Sequence, residues 1–383
     1  MIHYIHTNER VPSTPLDGYS LFYIRPFILE KIMQTDKPFK TIDEQMELLK
    51  SRNLTFENPD TVRSSLIKYG YYEIINGYKD KFLINPNNDD EGFKDGITFE
   101  HILALYKLDK NIRASLKNSL EEFELSFKQI LAYTIAEEYS DNDSRYIATS
   151  HYNTGKSHII YRHRRPLHDR QGNIVTENDR DRLLKKLKYI TKHNDYQPFK
   201  HYREDHHNVP PWIAIKGLMF GEAIYLYKLS KPNVRDKVLG RMINIDSRLV
   251  PVADDRFKIR QSFGDILSLC LYYRNESSHG GRIYNRRSHK YQLRDSSYFF
   301  PNIIDVTRSQ FLKGHGRSSV GALLSCLWSI NSSDCYSTLQ TWLSVYMDQY
   351  LTIYPQDKEM LYDSMELNFQ HSEVLEVNHN NKP

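Results

Sequence analysis

Residues 98–138 read TFEHILALYKLDKNIRASLKNSLEEFELSFKQILAYTIAEE, and this stretch decides the fold. Apolar side chains fall at Ile102, Leu105, Leu108, Ile112, Leu116, Leu120, Phe123, Phe127, Ile130, Leu131 and Ile135. Steps mostly of three and four keep them on one side of a 3.6-residue helix, whereas a strand would need strict alternation. Thr98 suits the N-cap, where a hydroxyl accepts from the open N–H groups of the first turn. Forty residues exceed an ordinary globular helix, so the pattern predicts either one long helix or two that abut.

The flanking sequence carries the same period. Upstream, Thr41 and Glu44 have the spacing of a capping box ahead of Ile42, Met46, Leu48 and Leu49. A second short helix is expected after Asn58, with Val62, Leu66 and Ile67 turned inward, running into YGYYEIINGYKDKFL at Tyr69. Residues 86–96, PNNDDEGFKDG, have the composition of a loop. Downstream, residues 140–209 are polar and rich in His, Arg and Tyr, with one helical piece near 178–191, and read as an insertion. Helical spacing resumes after Pro210-Pro211, with Trp212, Ile215, Leu218, Met219, Ala223 and Leu226, and again over Phe257–Tyr273. Residues 320–330 and 336–354 predict a C-terminal helical pair ahead of a polar tail. With no βαβ alternation, hairpin series or fixed repeat, the expected class is all-α.

Composition excludes little beyond disorder and a membrane span. Hydrophobic residues are 39% and charged residues 26% of 383, the balance of a soluble globular chain. The N-terminus lacks an apolar targeting core and no run approaches bilayer length, so a cytoplasmic protein without membrane attachment is expected. Cys270, Cys326 and Cys335 have no CxxC spacing, which predicts free buried thiols. The formal charge is only +4, but it is unevenly spread. His151–Pro210 holds thirteen Lys/Arg against seven Asp/Glu and eight of the sixteen His; Arg256–Arg294 holds nine against two. Concentrated positive charge suits a polyphosphate partner such as RNA. The 28 tyrosines are compatible with that reading, although core packing explains most Tyr clusters more simply, including Tyr69, Tyr71, Tyr72 and Tyr78.

The chemistry-bearing stretch is Arg274-Asn275-Glu276-Ser277-Ser278-His279-Gly280-Gly281, directly after the Phe257–Tyr273 helix. A histidine can take the 2′-hydroxyl proton of RNA or donate to the leaving 5′-oxygen. An arginine offers a permanent forked charge to the phosphorane oxygens. Five positions exceed one helical turn, so the two side chains share a cleft only where the helix bends or ends between them. The paired glycines supply a helix terminator. Arg145–His151, Arg162–His168 and Arg282–His289 have related spacing. The Arg274–His279 pair alone follows a strongly apolar helix, has Asn directly after the Arg and lies inside the second basic stretch.

The segment YYRNESSHGGRIYNR, Tyr272–Arg286, resembles the signature of Abi-like abortive-infection proteins of the AbiD/AbiF type, in the HEPN ribonuclease superfamily. The likeness extends to KPFKTIDEQMELLKSRNL at Lys37, YGYYEIINGYKDKF at Tyr69, the long segment from Phe93, and the Pro-Trp and Phe-Gly positions between Pro211 and Leu229. It covers roughly residues 37–286, with several motifs in order. The resemblance implies a HEPN-like helical bundle with a basic insertion and a C-terminal helical pair. It further implies a metal-independent RNA endonuclease acting as a toxin-like effector in phage defence, needing no cofactor. Since the chain holds one good copy of the motif, a homodimer is implied. By position, Arg274 and His279 match the catalytic pair and Asn275 the polar residue that orients it; Arg282, Asn285 and Arg286 match positions suited to RNA phosphates or the dimer seam. Glu276, Ser277 and Ser278 stand where the family often has apolar and small residues, and Gly280 where a second His is common. Arg162, Arg164 and Arg165 in the insertion are further RNA-contact candidates, read from charge and not from the family.

The expected organisation is an N-terminal arm over residues 1–36, an Abi-like domain over 37–295 interrupted near 140–209, a helical extension over 296–355 packed on it, and a polar tail over 356–383. Gly155-Lys156-Ser157 lacks the upstream glycine of a phosphate-binding loop, and His206-His207 lacks a second ligand pair, so no metal site is expected. Asp254-Asp255 suits a helix cap better than an acid–base dyad. Alternatives to an RNA-cutting enzyme are a module that captures a structured noncoding RNA without cutting, an RNA-restrained toxin, or a structural partner in a toxin–antitoxin pair.

Overall fold

In the computed structural model, residues 38–299, 303–304, 306–330 and 333–367 are described. The expected arm over 1–36 and the last part of the polar tail, from 368, lie outside the described residues. The chain divides into two compact units, residues 1–100 and 101–383. Among the described residues, helices dominate and strands are confined to two small two-stranded sheets, so the fold is all-α.

The first unit contains helices α1 (Ile42–Ser51) and α2 (Pro59–Tyr69). The capping box forms: the Thr41 hydroxyl accepts from the Glu44 N–H at 3.3 Å, and the Glu44 carboxylate accepts from the Thr41 N–H at 2.6 Å. Asn58 caps α2, with Pro59 in the first turn, where a missing N–H costs nothing. Met46, Leu49, Val62 and Leu66 are buried. Ile67 is 67% exposed, contrary to the inward position its spacing suggests. In the tyrosine cluster, Tyr78 is buried while Tyr72 is exposed.

Helix α3 spans Phe99–Glu138 without interruption, so the alternative of two abutting helices does not apply. At 1.5 Å per residue its 40 residues extend about 60 Å. Within the second unit its stripe is the spine of the core: Ile102, Leu105, Leu108, Ile112, Leu116, Leu120, Phe123, Phe127, Leu131 and Ile135 are all buried.

Residues 140–209, expected to be an insertion with one helical piece, hold that helix and short strands besides. Strands β1 (Ser157–Ile159), β2 (Tyr161–Arg162), β3 (Arg165–Pro166) and β4 (Thr176–Asn178) pair β1 with β4 and β2 with β3, both antiparallel. Helix α4 (Asp179–His193) follows, capped by Asn178. Then come α5 (Phe220–Leu229), α6 (Pro232–Ile243), α7 (Val250–Phe257) and α8 (Ile259–Ser278). Lys258, with φ 55° and ψ 42°, makes the corner between α7 and α8. Edge-to-face contacts of Phe127 with Phe220 (6.0 Å) and Tyr227 (5.9 Å), and of Tyr227 with Phe263 (5.6 Å), lock α3, α5 and α8 together.

Helices α9 (Val320–Ser329) and α10 (Ser333–Ile353) form the C-terminal pair. The Ser119 hydroxyl of α3 donates to the Cys335 carbonyl at 2.6 Å, and Cys270, Cys326 and Cys335 are buried and form no disulfide among the described residues. Where the sequence suggests a polar tail, α11 (Lys358–Met365) forms and buries Leu361 and Met365. Just before it, the buried Asp357 carboxylate lies 2.7 Å from His101 Nε2 and accepts from the Tyr350 hydroxyl at 2.5 Å. No helix among the described residues is long and apolar enough to cross a membrane.

Candidate active site

The Arg-Asn-x3-His motif lies at the C-terminal end of α8, and backbone chemistry explains why the helix stops there. His279 is the C-cap, its N–H donating to the Asn275 carbonyl at 3.1 Å. Gly280 follows at φ +78°, a conformation that side chains with a Cβ resist. The Gly281 N–H then reaches back to the Glu276 carbonyl at 3.3 Å, the six-to-one bond of a Schellman terminus. A Cβ on Gly281 would meet Glu276 Oε2 at 2.8 Å. Gly280, with its positive φ, is therefore the residue that the tight turn after the histidine requires, whereas at Gly281 a Cβ would meet only the movable end of the Glu276 side chain.

Two charged residues of α3 hold this turn in place. The Asp109 carboxylate, fully buried, accepts from the Ile283 N–H at 3.0 Å and the Tyr284 N–H at 2.6 Å. The Arg113 guanidinium donates to the carbonyls of Gly280 and Gly281 at 2.8 and 3.0 Å. These bonds satisfy backbone carbonyls and amides of the turn, which has left the helical ladder.

A third α3 residue fixes the motif arginine. Glu124 Oε2 accepts from Arg274 Nε at 3.2 Å, while Glu124 Oε1 accepts from Lys128 Nζ at 2.6 Å. Lys128 Nζ also donates to the Leu218 carbonyl at 2.6 Å. The Glu124 side chain is only 10% exposed, so its charge requires both cations; Arg274 is 34% exposed. Only Nε of Arg274 is bonded among the described residues, and its two Nη groups make no hydrogen bond there. That fork matches the paired oxygens of a phosphate.

His279 and Asn275 are exposed. Helix α8 ends between Arg274 and His279, but the cap residue stays close to helical, at φ −97° and ψ 9°. At 100° per residue the two side chains therefore leave the axis roughly 140° apart. No hydrogen bond or stacking contact joins them among the described residues. One chain thus presents the two groups on widely separated faces of a helix end.

The remaining candidates are distributed differently. Arg286 is held within the fold: its Nη2 lies 2.5 Å from the Glu276 carboxylate and its Nε donates to the Tyr272 hydroxyl at 2.7 Å. Asn285 and Arg282 are half-buried on the same post-motif turn. Arg162, Arg164 and Arg165 surround the tip of the β2–β3 hairpin, where His163 and Arg164 both have positive φ (51° and 65°), as a tight two-residue turn requires. All three arginines are exposed, and no ion pair engages them among the described residues. No bond links this hairpin to Arg274 or His279 there. Among the described residues no group of three or more His, Cys, Asp or Glu is placed to hold a metal ion.

Asp109, Arg113 and Glu124 were missed by reading the motif alone. For the two acids a signal exists: Asp109 lies four residues from Leu105 and three from Ile112, and Glu124 four from Leu120 and three from Phe127. Both are acids at buried registers of an apolar stripe, positions that demand a partner.

A model of the Abi-like protein family matches residues 64–285, a span that contains α3, the whole insertion and the motif. No curated protein sequence and no solved structure matches the chain.

Proposed function

The chain belongs to the Abi-like protein family, and on that premise we propose that it is a metal-independent RNA endonuclease of HEPN type, acting as an effector of abortive infection. The observation that carries the proposal is the state of Arg274: fixed through Nε by a buried carboxylate, with its Nη groups left for a phosphate, one turn before a solvent-facing histidine cap.

The chemistry uses the substrate's own nucleophile. His279 as base removes the 2′-hydroxyl proton, O2′ bonds to phosphorus, and the P–O5′ bond breaks. Arg274 neutralises charge on the non-bridging oxygens as the phosphorane forms. The leaving 5′-oxygen takes a proton from a second, protonated imidazole, giving a 2′,3′-cyclic phosphate and a 5′-hydroxyl. Because Arg274 and His279 leave one helix end in directions roughly 140° apart, a second copy of the chain about a twofold axis supplies the opposing pair. Asn275, exposed and next to Arg274 in the chain, is assigned the orienting of substrate or imidazole, and its exposure supports that reading. Sequencing RNA ends from cells expressing parent or His279→Ala protein tests this reading: new cyclic-phosphate ends should appear with the parent only. Equal end patterns from both proteins would refute it.

A second reading is capture of a structured RNA without cutting, and the exposed Arg162–Arg165 hairpin favours it. It predicts co-purification of a discrete RNA and no turnover. The two readings combine if the bound RNA restrains the toxin.

A further inference from the structure

Away from its motif end, α8 also lines a cleft. Its lining includes Gly264 and Ser268 of α8, Lys228 of α5 and Arg235 of α6, together with Arg260 and Arg294. Its volume is about 270 Å³, below the roughly 300–1,000 Å³ of pockets that enclose a whole small ligand. Its size therefore suits one chemical group of a longer molecule.

The charge balance identifies the group. Arg260 is committed to Asp236 (2.7 Å) and Asp254 (3.0 Å), and Arg294 to Asp265 (2.7 Å). Lys228 and Arg235 have no carboxylate partner among the described residues. Arg235 Nε is moreover buried and finds no hydrogen-bond acceptor among the described residues, so no side-chain or backbone oxygen there offsets the guanidinium that lines the cleft. Partial desolvation of an otherwise exposed side chain holds the Lys228 ammonium below the ordinary lysine pKa, with Asp265 opposing and Arg294 adding to the effect. Four cations against three carboxylates leave one net positive charge, which matches the single charge of a phosphodiester better than the double charge of a terminal phosphate.

The position of the cleft connects it to the motif. Ser268 and Asn275 are seven residues apart, two turns, and so share one face of α8 about 10 Å apart. That is roughly three nucleotides of a stacked strand at 3.4 Å each. We infer that this cleft seats a backbone phosphodiester of the RNA strand and sets the register in which the strand reaches Arg274 and His279. The inference rests on the RNA-cutting reading for the identity of the strand, while the cleft's affinity for phosphate is measured separately.

The test compares parent, Ser268→Asp, Lys228→Ala and His279→Ala proteins, using fluorescence anisotropy with a 2′-O-methyl RNA oligonucleotide that cannot be cut. Ser268→Asp should raise Kd about tenfold, and Lys228→Ala should flatten the slope of log Kd against log salt by about one. On cleavable RNA the loss should fall on KM rather than kcat, with melting temperatures unchanged. Unaltered affinity in both cleft variants overturns the inference and leaves the Arg274–His279 reading intact. Cutting by His279→Ala at the parent rate, with binding still weakened by Ser268→Asp, instead removes the nuclease reading and keeps the cleft. If inorganic phosphate protects the parent but not Ser268→Asp, while RNA affinity is the same in both, the site takes free phosphate and the strand assignment fails.

Discussion

Glu124 of α3 and Arg274 of α8, 150 residues apart in sequence, meet through a 3.2 Å bond between a nearly buried carboxylate and the guanidinium Nε. The bond holds the arginine through Nε and leaves its Nη groups without a hydrogen bond among the described residues, so on the proposed reading a residue away from the reacting atoms sets where the charge is delivered. On that reading Glu124 acts as a positioning residue.

Glu124→Gln should therefore lower kcat for RNA cutting by about a hundredfold, the scale of a misplaced catalytic group, with KM nearly unchanged. Kinetics at saturating RNA, alongside far-UV circular dichroism, check it. Parent-like kcat in a folded variant would show that Arg274 needs no such support.

Asp109→Asn should destabilise the protein by about 1–3 kcal/mol, because an amide replaces a buried carboxylate that accepts from two backbone N–H groups. Urea unfolding measures the loss. Asp109→Ala should cost more, and a neutral result for both would mean the post-motif turn holds without this anchor.

At Gly280, where φ is +78°, stability should fall in the order Gly, Asn, Ala, Val, with Gly→Ala costing about 1 kcal/mol. Asn is the mildest replacement because it tolerates left-handed backbone. An Ala variant as stable as the parent would contradict the helix-terminator assignment.

Burial pushes the Cys270 and Cys326 thiols well above their ordinary range. In the unfolded chain a thiol ionises near pH 8.5, at roughly the value of free cysteine. Folded pKa values above unfolded ones mean that the stability from neutral thiols is complete below that pH and is lost as pH rises past it. The slope should approach about 1.4 kcal/mol per pH unit for each thiol. Chemical denaturation between pH 8 and 10, compared with a Cys270→Ala, Cys326→Ala double variant, measures the difference. Equal slopes would place the thiols in contact with water.

Much of this was legible in the sequence, for identifiable reasons. The 98–138 stripe, the Thr41–Glu44 box and the C-terminal pair rest on local periodicity and capping, which a single helix displays by itself. The hairpin at Arg162–Arg165 was not legible, because its turn residues are His163 and Arg164 and not the usual Asn or Gly. Helix α11 was hidden by its polar face; only Leu361 and Met365 mark its buried side. The motif itself could be quoted from sequence, and the buried registers of Asp109 and Glu124 mark them as acids in need of partners, but which partners they and Arg113 meet depends on α3 lying against the end of α8, a tertiary relationship that no local pattern gives. The cleft around Lys228 and Arg235 likewise gathers residues from α5, α6 and α8 that no spacing relates.

The most direct measurement is the rate at which purified protein cuts a defined RNA in excess EDTA, for parent, Arg274→Ala and His279→Ala. The parent should cut, leaving cyclic-phosphate ends, and either substitution should lower the rate by at least about a hundredfold, the lower end expected for losing general acid–base catalysis. Cutting by His279→Ala at the parent rate, or parent cutting that vanishes with EDTA and returns with magnesium, would contradict the account.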